Sequence, residues 1–146
     1  MTSPRIIAGS LLVAVPAVFM AGFTGLQMTF GYPDILRHTA GEVLTRFAAG
    51  GVDLHVFWYA MFLSALALVA ASISAGLLFW KRDPLLAGLS IGFGVLAGLV
   101  QGLGLLRWVI LVPSLAAQYL APGASEMDRA ATVAIFDFAN QYLGAG

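Results

Sequence analysis

Residues 84–121 read PLLAGLSIGFGVLAGLVQGLGLLRWVILVPSLAAQYLA, an apolar, glycine-spaced run with one basic residue, Arg107, set deep inside it. Carried as a single helix it would be about 57 Å long, against a hydrocarbon core of about 30 Å. Something in it must bend or protrude. Proline removes a backbone donor and crowds the preceding turn, so Pro113 is the expected break, with the crossing itself over roughly residues 87–110 of a span of about 85–112. The rest is expected to emerge or to lie on the outer surface.

The 146-residue chain is 60% hydrophobic and 10% charged, too much apolar surface for a water-soluble core. Its mean hydropathy of +0.93 comes from several long runs rather than one anchor, which points to a multi-pass helical protein. The runs lack the period-two alternation of outer-membrane barrel strands. There are no cysteines, so neither a disulfide framework nor a thiolate site is available, and a formal net charge of +0 gives no electrostatic case for nucleic acid.

Working outward, Leu54–Trp80 forms a second span, bordered by His55, Trp58 and Tyr59 at one end and by Trp80, Lys81 and Arg82 at the other. Aromatic residues at both ends read as interface belts. The Lys81-Arg82-Asp83 turn is short and carries a basic excess, so it is assigned with Arg5 to the cytoplasm. The first span, residues 6–30, has no ionisable group and contains Pro16, which should bend it; its apolar run is too long for a cleaved signal core. This topology implies a bacterial inner membrane with the amino terminus in the cytoplasm.

Two polar stretches remain. In residues 33–49, Ile35, Leu36, Val43, Leu44 and Phe47 share one helical face, opposite Asp34, Arg37, His38, Glu42 and Arg46, as in an amphipathic surface helix. Glu42 and Arg46 are spaced as an i,i+4 pair, and Asp34 can reach Arg37 or His38. A second surface helix is expected over 125–143, opened by Ser125 and Asp128 in a variant capping box. The expected fold is therefore all-α: an integral membrane protein with three crossings and two outer amphipathic helices in one domain.

An intramembrane guanidinium without a partner costs about 2.5–3.5 kcal/mol even on lenient insertion scales. Arg107 is therefore expected to snorkel beside Trp108 or to meet Asp34, Glu42 or Asp137. A structural clamp and an anion or headgroup site are the two readings. Gly88, Gly92, Gly94, Gly98 and Gly102, with Ser72 and Gly76 in the second span, have the small-residue spacing that lets membrane helices touch, inside the fold or between copies. Gln101 is placed to hydrogen-bond between helices. His38 and His55 are weak candidates for a metal or haem, and no HExxH or hydrolase pattern occurs.

The PDILR segment at 33–37, the RW-x-x-x-VP segment at 107–113 and the N-x-Y-x-G segment at 140–144 resemble a family of bacterial multi-pass membrane proteins known as a domain of unknown function. The resemblance covers most of residues 30–146. The family-like positions are Pro33, Asp34, Leu36, Arg37, Arg46, Gly50, Trp58, Arg107, Trp108, Pro113, Asn140, Tyr142 and Gly144. It implies a six-helix architecture of which this chain is either a short relative or the amino-terminal half, and it implies no activity.

The expected function is a non-enzymatic scaffold or accessory subunit, packing through its glycines against other membrane subunits or copies of itself. A transport or lipid- and anion-binding module with a vestibule at Arg107 is the alternative, and a haem- or quinone-binding redox subunit a second one. Membrane lipid is the expected partner, and no cofactor is predicted.

Overall fold

The computed structural model describes residues 3–144; the amino terminus expected in the cytoplasm lies outside them. The described residues contain helices and turns and no strand. Three helices are long and apolar enough to cross a membrane: Pro4–Phe30, Val52–Phe79 and the continuous run Pro84–Tyr119. The chain is thus a membrane protein. Their outward surfaces are studded with exposed large apolar side chains such as Val13, Leu63, Phe93 and Leu103, as acyl chains rather than water would require.

Helix α1 (Pro4–Phe30) passes through Pro16 without interruption and ends where Gly31 takes a left-handed φ of 72° and returns its N–H to Leu26. Helix α3 (Val52–Phe79) packs against both α1 and α4 (Pro84–Leu106). Small residues set both distances. A Cβ on Gly25 would lie 2.5 Å from the Phe57 ring, and one on Gly98 would lie 2.8 Å from Val69 and 2.9 Å from the Ala65 carbonyl. Gly94 lies against Ser72, and Gly76 against Ile91, so this part of the expected glycine face is spent between α3 and α4. Gly102 makes ordinary contact with Leu66 at 3.5 Å, Gly88 meets only the rim of Trp80, and Gly92 meets nothing within 4 Å. The tight turn between α3 and α4 is fixed by Asp83, which accepts the Leu86 N–H at 3.0 Å, with Pro84 opening the helix.

Pro113 does not break the third crossing. A π-turn over Arg107–Leu111, in which the Val112 N–H reaches back to the Arg107 carbonyl, precedes it, and α5 (Val112–Tyr119) continues the same rod. The extra residue in the turn accommodates a proline that has no N–H to offer. At 36 residues the rod is about 54 Å long, so its last turns stand beyond a single crossing.

The expected surface helix over 33–49 is two pieces: a 3-10 turn, Asp34–Arg37, and α2 (Ala40–Ala49), separated by extended backbone at His38. The cause is Thr39. Its hydroxyl accepts the Glu42 N–H at 3.4 Å and the Glu42 carboxylate accepts the Thr39 N–H at 3.2 Å, a capping box that starts a fresh helix. The Glu42–Arg46 pair gives way to a 3.3 Å contact between Glu42 and His38, while Asp34 pairs with Arg37 at 3.8 Å. Helix α6 (Glu126–Leu143) opens with the expected box between Ser125 and Asp128. Helices α2 and α6 both pack on α5, forming a cap at one pole of the bundle.

These boxes make the cap acid-sensitive. Hydrogen bonds from the Thr39 backbone, then its side chain and His38, hold the Glu42 carboxyl below its usual 4.5; the Ser125 hydroxyl and backbone hold Asp128 below 3.8. A carboxyl depressed in the folded state stabilises above its unfolded value and loses that contribution as pH falls through the folded one. Helicity measured by circular dichroism in detergent is expected to fall as pH is lowered below about 4.5. The double variant Glu42→Gln, Asp128→Asn should start lower and show a flatter acid limb; an unchanged limb would place the sensitivity elsewhere.

Candidate anion site at Arg107

The end of α1, the start of α3 and the π-turn meet under the cap, and their aromatic side chains form its core. Trp58 and Trp108 lie face to face, with centroids 4.4 Å apart and planes 3° from parallel. Phe30, Tyr32 and Phe136 meet this pair edge-on, at 5.7 Å (Phe30–Trp108), 5.2 Å (Tyr32–Trp58) and 6.1 Å (Phe136–Trp108). Trp58 is 1% exposed, so it is not the interface belt residue its position near a span end implied. Tyr59 and Trp80 do remain on the surface.

Arg107 follows the stack into the interior. It is 5% exposed and does not snorkel, and its Cζ lies 5.5 Å from the Trp108 ring centroid. The acids expected to answer it are elsewhere: Asp34 sits in an exposed pair with Arg37, Glu42 caps α2, and Asp137 points outward from α6. Among the described residues no carboxylate lies within salt-bridge distance of Arg107. Its Nη1 instead donates to the carbonyls of Ala139 at 3.3 Å and Asn140 at 3.2 Å, near the carboxyl end of α6. The reason is geometric. Helix α6 presents its backbone terminus to the guanidinium and its charged side chains to water, and a helix carboxyl end carries about half a negative charge.

Two glycines permit this approach. A Cβ on Gly104 would fall 2.8 Å from the Leu143 carbonyl, and one on Gly144 would fall 2.6 Å from Arg107 Nη1. Asn140 and Gly144 belong to the N-x-Y-x-G segment, the one sequence signal for this contact, although it gives no hint that carbonyls would replace acids. Among the described residues, Arg107 Nε is buried without a hydrogen-bond partner, as are Trp58 Nε1 and Asn140 Oδ1. Burial pushes the Tyr32 phenol up, so this neighbour stays neutral and supplies no counter-charge.

Arg107 borders a cleft of about 350 Å³ between α1 and α4, whose other walls include Phe23, Tyr32, Met61, Gln101 and Leu105. Of the residues singled out in the sequence, the cleft brings together Arg107, Trp108 and Gln101 and leaves out Asp34, Arg37, Glu42 and Asp137. His38 lies against Glu42, and His55 lies against the Gly51 carbonyl and the Phe47 ring; neither borders the cleft. The arrangement is a single cation, partly answered by backbone dipoles, at the mouth of an apolar slot. Chemically it suits a carboxylate or a phosphate ester rather than a metal.

No curated protein and no solved structure matches the chain. The family model described as Domain of unknown function (DUF4386) matches residues 7–145, nearly the whole length, and the chain belongs to that family.

Proposed function

We propose that this chain is a non-enzymatic binding module of the membrane that takes the anionic head group of an amphiphile at Arg107. The observation behind this reading is the buried guanidinium whose charge meets carbonyls and, among the described residues, no carboxylate, beside an open apolar cleft. Half a charge from a helix terminus leaves the rest of the cation to a ligand. With Arg5, Lys81 and Arg82 in the cytoplasm of a bacterial inner membrane, the Arg107 pole would face the outer leaflet.

The scaffold reading keeps one specific support: Gly92, on the exposed side of α4, has no neighbour within 4 Å among the described residues, which leaves that face open to another helix.

Native mass spectrometry of the protein in mild detergent tests the main reading. Wild type is expected to retain a negatively charged amphiphile that Arg107→Leu does not. A charge-assisted hydrogen bond is worth about 1.5–3 kcal/mol, so affinity should drop at least tenfold. Arg107→Lys should recover part of it. Equal retention by Arg107→Leu at unchanged helicity sinks the reading.

A further inference from the structure

The Arg107 cleft is the first of three that join end to end along α3. It shares Phe19 and Gln101 with a second of about 340 Å³, floored by Ala65, Leu68 and Ala71. That one shares Leu12 with a third of about 710 Å³, bounded by Ala75, Gly76 and Leu86 and closed at its far end by Arg82 and Asp83. The groove exists because α1 and α4 each pack on α3, with α3 lying between them. Between Met61 and Phe79 that floor is small at every lining position except Leu68, from Ser64 and Ala65 to Ala75 and Gly76, so the space between the outer helices stays open.

From Met61, beside the Arg107 cleft, to Gly76, in the third cleft, α3 rises about 22 Å, more than one leaflet's half share of a hydrocarbon core of about 30 Å. An occupant matching the Arg107 end and the apolar walls, and stopping short of Arg82 and Asp83, is elongated, apolar along its length and anionic at one tip. A guanidinium meets a carboxylate in a planar, two-bonded fork, and one partly answered cation suits one negative charge. Resting on the head-group reading above, we propose that the α1/α3/α4 groove is an acyl-chain channel and that its ligand is a long-chain free fatty acid, carboxylate at Arg107 and tail running past Gln101 and Leu12 toward Ala75.

Palmitate carrying a diazirine on its terminal carbon tests the channel in the intact protein in detergent. Labelling is expected at residues 72–76 and 86–90, and Leu12→Trp, an exposed position at the joint between the second and third clefts, should reduce it at least about tenfold while leaving helicity unchanged. Octanoate should compete poorly. Labelling spread over outward residues such as Leu63 and Phe93, or an unaffected Leu12→Trp variant, overturns the channel. If octanoate competes as well as palmitate and the label still depends on Arg107, the channel falls while the head-group site stands. If Arg107→Leu labels as strongly as wild type, both fall. Displacement by diacyl anionic phospholipid but not by free fatty acid also overturns this assignment of the ligand.

Discussion

Replacing Trp58 by alanine is expected to lower the unfolding free energy by about 3–5 kcal/mol, the cost of deleting a large buried aromatic. Trp58 is one of the largest fully buried side chains, and it stacks on Trp108 while meeting Phe30 and Tyr32 edge-on. Stacked and edge-on aromatic pairs add about 0.5–1.5 kcal/mol beyond the area they bury. The loss would fall at the junction of α1, α3 and the π-turn, so the cap helices should melt with the core. Denaturant titration in detergent, followed by far-ultraviolet circular dichroism, measures this. Trp80→Ala, at 46% exposure, is the control and should stay within about 0.5 kcal/mol of wild type. Similar values for the two would mean that the stack contributes little.

The second large effect is expected at Gly98. Leucine there would drive its first carbon to 2.8 Å from Val69 and 2.9 Å from the Ala65 carbonyl, and a backbone atom cannot turn aside. Overpacking of this kind costs about 1–3 kcal/mol and should pry α4 from α3. Gly92→Leu, six residues away on the same helix, meets open space and should leave the melting temperature unchanged. This pair also addresses the scaffold reading. If copies of the chain meet through the free side of α4, Gly92→Leu should convert oligomers to monomers by native mass spectrometry with no loss of stability. Unaltered assembly would remove that face from consideration.

How much of this was legible in the sequence differs by element for physical reasons. The three crossings were, because a run of about 20 apolar residues has few alternatives. The Ser125–Asp128 box was, because capping needs side chains at fixed spacing. Thr39 and Glu42 carry the same signal, but the apolar face of residues 33–49 reads smoothly across it and hid the break. The π-turn left no compositional trace beyond Pro113, since a slip of one hydrogen-bond register changes no residue type. Trp58 was misplaced because an aromatic near a span end suits a lipid interface and a cap core equally, and only the presence of α2 and α6 over that pole separates the two. Arg107 stood out in the sequence as a buried cation that needs an answer. The answer came from carbonyl groups that every residue possesses, so no letter of the sequence could name it.

The order of helix contacts bears on how the chain is made. Each crossing packs on the one just before or after it, α1 with α3 and α3 with α4, so every apolar face can find its partner as the next segment leaves the translocation machinery. The contacts of α2 and α6 with α5 come last. Until the π-turn has emerged, Trp58 lacks its stacking partner Trp108, and α2, although already made, lacks the α5 surface on which it packs.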